Sequence, residues 1–389
     1  MNEYIKYTSQ PNLIEKRQIL SLLDEAFIDK IYSANTHYGF FCGYTCDYDN
    51  FVLLKKNDDV IGVAIVTKRK INLLNGLADA LSVGPVAIDP SFQRQGYSSL
   101  LMAGLNDLAD QFGVTILYLQ GIDGFYNKYD YYTCSSKSKL VFKGKEFNKI
   151  SGVSIKPLTV LNVNDIKEVY KNNADLCSCT SVRSNEDWDW LVKHGCNTWY
   201  FFGPTLVLNN DKPIGYFCSD PKDPARIREA VFDASDEGIQ SFFAGLRIYC
   251  QRKSVEKSEI MTWIGSPLYT YAKRNCNADF LQFFKKDGSQ MMKILNYQKV
   301  LDLMSKSGLS DFLINNIECR DDECVFSFEF VENLYPVKIA TKYVPGLICG
   351  YFDFRVMLGF EEIPPVLKEK VTNFFNNFKP PFFFQGDNF

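Results

Sequence analysis

The stretch from Leu81 to Leu119 constrains the fold more than any other part of the chain. An apolar run, Leu81 to Ile88, is stopped by Asp89-Pro90. Proline fixes its own φ and removes a donor, so the strand ends there. A short loop, Ser91 to Gln95, leads to Gly96. Leu101, Leu105, Leu108 and Phe112 then recur at steps of four, three and four residues, one face of a helix. Gly113 follows where a helix C-terminus favours a residue free to turn left-handed. Val114 to Leu119 is the next apolar run. Strand, turn, helix, strand predicts a right-handed crossover between two parallel strands, and an α/β fold around it.

A chain of 389 residues exceeds one ordinary core and is expected to form two or three domains. The first, residues 1–150, reads as mixed α/β. A helix begins near Pro11, with Leu13, Arg17, Leu20, Asp24 and Phe27 on or beside one face. Phe51 to Lys55 and Val60 to Val66 form a hairpin turning through Asn57-Asp58-Asp59. The second, residues 151–288, holds a hairpin from Leu206 to Phe217. A helix follows it, with Ile239, Phe242, Phe243, Leu246 and Tyr249 on one side. That order repeats the first, so a degenerate structural repeat is expected. The third, residues 289–389, reads as α+β and ends in a tail rich in phenylalanine (Phe374, Phe375, Phe378, Phe382, Phe383, Phe384), whose rings must be buried against something.

Composition narrows the function. Forty-three Lys and Arg against 46 Asp and Glu give a net charge of -3, which argues against a nucleic-acid partner held through phosphate neutralisation. No apolar run approaches the roughly 20 residues of a membrane helix, and Met1 to Lys6 lack signal-peptide character, so a cytoplasmic protein is expected. The twelve cysteines repeat no C-x-x-C pair, and the two histidines, His37 and His194, are isolated in sequence. Free, buried thiols and no metal site are therefore expected.

The chemistry resides in the turn before the helix. Its first backbone N–H groups have no partner inside the helix, and with the helix dipole they form an anion site suited to a pyrophosphate. Gly96 allows close approach, and Arg94 adds charge. Val86 to Ser99 resembles the coenzyme A motif of GNAT acyltransferases, Q/R-x-x-G-x-G/A after a strand, with Gln93, Gly96 and Ser98 in the three motif positions. That resemblance implies acetyl-CoA as cosubstrate. It would be bound along Val86, Ala87 and Ile88, by the turn Arg94, Gln95, Gly96, Tyr97, Ser98 and Ser99, and by Tyr126 and Asn127. The strand Val86 to Ile88 would splay from Val114 to Leu119, leaving a gap for the thioester. Gly121 to Tyr131 is similar to the family's closing segment, with Lys128, Tyr129 and Asp130 in its Arg, Phe and Gly positions.

The rest of the chain resembles Eis-like acetyltransferases. Arg183 to Leu191 is similar to the R-x4-W-x-x-L segment of their second domain, and Met292 to Asn296 to the strand opening their sterol-carrier-like third domain. The resemblance implies Tyr131 as general acid, with Tyr132 on the opposite side. It also implies the C-terminal carboxylate of Phe389 as the basic group, Asp24, Glu25 and Asp79 being alternatives. The second domain, lacking the glycine turn, would wall the acceptor pocket. The expected reaction is acetyl transfer to a primary amine of a small molecule or a lysine side chain, in a ternary complex, by a possible homo-oligomer. A non-catalytic acyl-CoA or lipid binder, favoured by Ser98 and Asp130, and a transferase of longer acyl chains are the rivals.

Overall fold

The computed structural model describes residues 3–27, 49–122, 124–135, 137–159, 161–193, 204–220, 223–263, 265–276, 278–283, 287–306, 313–320, 322–351 and 364–379. His37, His194 and Phe389 lie outside the described residues. The first unit opens with β1 (Glu3–Thr8) and helix α1 (Leu13–Ala26). Asn12 caps α1 by accepting from the Glu15 amide, and the Glu15 carboxylate accepts from the Asn12 amide. Strands β2 (Asp49–Lys56), β3 (Asp59–Leu73) and β4 (Gly76–Ile88) follow as an antiparallel meander. Helix α2 (Tyr97–Phe112) crosses over to β5 (Ile116–Ile122), which pairs parallel to β4, and β6 (Tyr132–Ser135) comes next. The predicted crossover is present. Helix α2 buries Leu101, Leu105 and Leu108 against one face of this sheet, while α1 buries Ile19, Leu22 and Leu23 against the other.

The second unit repeats the plan. After β7 (Lys137–Lys143), which ends the first half in sequence, it comprises β8 (Val153–Pro157), α3 (Asn164–Ala174), α4 (Asn185–Lys193), β9 (Thr205–Asn209), β10 (Lys212–Ser219) and β11 (Arg226–Phe232). Then come α5 (Asp236–Arg252), β12 (Lys257–Met261), α6 (Pro267–Asn275), β13 (Asp279–Phe283) and β14 (Asp287–Ile294). Helix α5 joins the parallel pair β11 and β12 as α2 joins β4 and β5.

The two halves are interlocked. The first sheet runs β1-β2-β3-β4-β5-β14-β6 and the second β8-β9-β10-β11-β12-β7-β13. Strand β7, which follows the first half, inserts between β12 and β13, and β14, which follows the second half, inserts between β5 and β6. The boundary expected after residue 288 thus falls inside β14, and Met292 to Ile294, expected to open the third unit, pair with Tyr118 to Ile116 of the first sheet. Contacts between the loop ahead of α4 and β3 reinforce the union. The amides of Asn72 and Cys179 exchange bonds with the carbonyls of Thr180 and Asn72, and Arg69 pairs with Asp187 at 2.5 Å.

The third unit holds α7 (Tyr297–Lys306), the antiparallel sheet of β15 (Leu313–Arg320), β16 (Glu323–Phe330) and β17 (Asn333–Ala340), and helices α8 (Val344–Ile348) and α9 (Pro365–Asn376). Its core is continuous with the face of the first sheet opposite α2: Ile116, Tyr118 and Met292 join Phe326, Ile348 and Phe375. Phe374, Phe375 and Phe378 of the aromatic tail are buried there; Phe382, Phe383 and Phe384 lie outside the described residues.

The cysteines need one correction. Seven described cysteines are free, six of them buried, but Cys319 and Cys324 form a disulfide. Spacing did not reveal it because the pairing depends on register: β15 and β16 place the two residues directly opposite, Cα atoms 4.0 Å apart.

Candidate active site

The site starts where β4 leaves β5. Their parallel pairing runs from Ala80–Ile116 to Val83–Leu119 and goes no further, while β4 stays paired to β3 through Val86, Ala87 and Ile88. A wedge therefore opens between Val86–Ile88 and the end of β5, with Pro85, which has no N–H to donate, at its apex.

At the wide end lies the turn into α2. The Asp89 side chain accepts from the Ser91 amide, and the Gln93 amide group donates to Ile88 O at 3.1 Å, folding the loop back onto the strand. Arg94 and Gly96 both take left-handed φ, 60° and 88°. No side chain caps the helix at Gly96, a Cβ built there meets nothing within 4 Å, and the space before the helix is open. The Tyr97 and Ser98 amides have no acceptor among the described residues, whereas the Ser99 amide reaches Gly96 O at 3.0 Å. The glycine turn, Arg94, Gln95, Ser98 and Ser99 therefore gather at one helix N-terminus. Tyr97 contributes only backbone: its hydroxyl accepts from Lys56 at 2.9 Å and donates to Glu3 at 2.6 Å, away from the turn.

The loop between β5 and β6 closes over this helix end. Asn127 braces it, its side chain accepting from the Gly124 amide and donating to Tyr131 O at 3.1 Å. Asp130 adopts the left-handed conformation (φ 65°) that a glycine would supply, and its carboxylate meets Lys293 of β14 at 3.2 Å. Tyr129, not singled out from the sequence as a ligand, lies 3.2 Å from the Ser98 hydroxyl and 3.3 Å from that of Ser99. The 31 residues separating Tyr129 from Ser98 conceal that contact until the fold is known.

Tyr131 is fully buried on the α2 side of the sheet among Leu117, Leu119 and Met291, and its hydroxyl has no hydrogen-bond partner. Burial, then the neighbouring Tyr126 and Asp130, push its pKa well above the ordinary tyrosine value. It is therefore protonated at neutral pH, a donor with no acceptor among the described residues. Tyr126 packs edge-on to it at 6.0 Å and is itself pushed up to about 12 by burial and by Tyr129. Tyr132, half-buried, pairs with Met292 on β14.

The candidate carboxylates separate by position. Asp79 sits near the start of β4, paired with Lys70, roughly 25 Å of strand from Val86. Glu25 instead lines a groove of about 570 Å³ between α1, the β2–β3 turn and Asp89–Phe92. No group of His, Cys, Asp and Glu suited to a metal occurs among the described residues.

The second half lacks this cradle. Ser235 caps α5 with its own hydroxyl, accepting from the Gly238 amide at 3.1 Å, and Asp236 and Glu237 occupy the first turn. An end already satisfied and doubly acidic repels a phosphate. Arg183 and Trp188, prominent in the sequence, serve the core. The Arg183 guanidinium grips Glu229 through two bonds of 3.0 and 2.9 Å, and both side chains are almost wholly buried. Trp188 packs edge-on to Tyr170.

Residues 11–134 match the family model of the acetyltransferase (GNAT) domain. No curated protein matches the chain by sequence. Among solved structures, the chain is similar to a GCN5-related N-acetyltransferase from Anabaena variabilis ATCC 29413, with TM-score 0.71 and 16% identity over 97% of this chain and 98% of that one. A probable N-acyltransferase from Enterococcus faecalis V583 gives 0.69 and 14% over 99% and 100%. Eis1 from Mycobacterium abscessus gives 0.66 and 12%, again over 99% and 100%. At such identities the likeness is one of fold, and it extends through all three units. The chain thus carries a GNAT acetyltransferase domain in its first third, and its enzyme class is acyltransferase.

Proposed function

We propose that this chain is a cytoplasmic, Eis-like N-acetyltransferase that moves acetyl from acetyl-CoA to a primary amine of a small molecule or a lysine side chain. One observation carries the reading: an uncapped helix N-terminus at Gly96 stands beside splayed strands, and Tyr131 is buried in the same core cluster as Val83 and Leu119, the pair at which those strands part.

The roles follow from the groups present. The Tyr97 and Ser98 amides, the α2 dipole and Arg94 hold the diphosphate, and the free edge of Val86–Ile88 offers backbone groups to the pantetheine amides. Tyr129 closes the mouth. The uncharged amine attacks the thioester carbonyl; the C–N bond forms and the C–S bond breaks. Tyr131 gives its proton to the departing thiolate, and the amine's surplus proton leaves through a carboxylate or water. The Phe389 carboxylate is our candidate for that group, with Glu25 and Asp24 as alternatives. We place residues 1–150, 151–288 and 289–389 as catalytic, degenerate and sterol-carrier-like units, with β7 and β14 exchanged between the first two.

The non-catalytic rival drew on Ser98 and Asp130. Asp130 keeps the glycine-like bend and Ser98 engages Tyr129, which weakens that reading. Calorimetry with acetyl-CoA, followed by thiol release over a panel of amines, decides between them. One site per chain with turnover is expected. Binding without turnover on any amine favours the rival, and two sites per chain would contradict the account of α5.

A further inference from the structure

Another buried polar group without a partner lies one strand beyond the wedge, across β5, on the opposite face from Tyr131. Gln290 of β14 is 5% exposed, and its side-chain oxygen has no hydrogen-bond partner among the described residues. Its backbone is satisfied in the sheet and also receives the Cys134 thiol at 3.5 Å, so the vacancy belongs to the side chain alone.

Register fixes its location. Gln290 pairs with Gln120 of β5, one residue beyond Leu119, the last residue of β5 that pairs with β4. Side chains alternate along a strand. Met291 packs with Tyr131 on the α2 face, whereas Met292 and Tyr118 pack on the other. Gln290 and Gln120, each two residues from one of that second pair, therefore share the face opposite α2. Gln120 stands on the strand that borders the wedge, and Gln290 one strand spacing beyond it.

An unpaired buried carbonyl costs about 1–3 kcal/mol, and Met291 and Met292 show that apolar residues fit this strand. The unmet acceptor therefore points to a donor supplied from outside the chain. If Tyr131 serves the leaving sulfur from the α2 face, the nucleophile approaches the carbonyl from the other side, where Gln290 lies. Resting on the acetyl-transfer reading, we propose that the Gln290 side-chain oxygen accepts a hydrogen bond from the incoming amine and orients it for attack. The second half of the chain thereby supplies, through its exchanged strand, a substrate-binding group to the first.

The test uses the full chain with Gln290→Leu and Gln290→Glu. Turnover is measured at saturating acetyl-CoA with spermidine, Nα-acetyl-lysine methyl ester and kanamycin as amines, and thermal unfolding is followed without ligands. Gln290→Leu should raise KM for the best amine about 10-fold while kcat and KM for acetyl-CoA stay within about 3-fold. Gln290→Glu, which keeps an acceptor, should restore the amine KM. The unliganded Leu variant should melt no lower than the parent, because it relieves an unpaired group. An unchanged amine KM in an active Gln290→Leu enzyme overturns the proposal. So does equal impairment by Leu and Glu, or a lower melting temperature for Leu, which would make Gln290 structural. A parent enzyme inactive on every amine refutes the acetyl-transfer reading instead, and the melting comparison still decides whether Gln290 is a structural residue.

Discussion

Replacing Tyr131 by Phe removes one oxygen and little else. The ring stays among Leu117, Leu119 and Met291, with the Tyr126 edge 6.0 Å away. The hydroxyl makes no hydrogen bond among the described residues, so its loss should be neutral or favourable to stability by up to about 1–3 kcal/mol, the cost of an unpaired buried polar group. Catalysis should move the other way. The leaving thiolate has a reference pKa of about 8.5, and losing its proton donor is expected to lower turnover about 10²- to 10⁴-fold. Affinity for acetyl-CoA, carried by the Gly96 turn, should stay within about 3-fold. The raised Tyr131 pKa also sets a sign: the acid form persists through the neutral and mildly alkaline range, so this residue should impose no alkaline limb below about pH 10. Thiol release, calorimetric binding and thermal unfolding of the two proteins measure the three quantities. Equal turnover would remove Tyr131 from the mechanism; parallel losses of stability and binding would make it a packing residue.

Glu15 predicts an acid-sensitive first unit. Burial pushes its carboxyl up, but the hydrogen bonds from Lys6, the Asn12 amide and Lys55 outweigh it and hold the pKa down to about 2. The stabilisation, on the order of 3 kcal/mol, is complete above the unfolded value near 4.5 and disappears as pH falls through 2. The urea midpoints of the parent and Glu15→Gln should therefore converge as pH falls from about 5 to about 2; a constant difference would refute the pairing. Arg183→Met should cost about 3–5 kcal/mol by removing the cation that faces the buried Glu229 carboxylate, to which the Tyr216 hydroxyl still donates at 2.6 Å, with most of it recovered by adding Glu229→Leu. Chemical denaturation of the single and double variants checks this, and additive losses would contradict a coupled pair.

What could be read from the sequence is what depends on neighbours in sequence. The crossover from β4 through α2 to β5 announces itself through Pro90, Gly96, a leucine stripe and Gly113, all within a few turns of one another. The β2–β3 and β9–β10 hairpins advertise their turns through Asn57-Asp58 and Asn210-Asp211. Distance hid the rest. Family resemblance marks Met292 to Asn296 as the start of a strand, yet nothing local says that the partners of Met292 and Lys293 are Tyr118 and Leu117. The Arg183–Glu229 pair, the reach of Tyr129 to Ser98 and the Cys319–Cys324 bond each require the register of elements already assembled. The Phe389 carboxylate, proposed from family resemblance, lies outside the described residues.

The mutual loan of β7 and β14 carries a consequence for how such a molecule can change. A partner that has lost its phosphate-holding end would ordinarily be free to erode or be cut away. Here it holds hostage the strand that separates β5 from β6, and its own sheet has a hole without β7. Each sheet is complete only with a strand that the other half's stretch of chain delivers, so neither half can be removed without opening the sheet of the other.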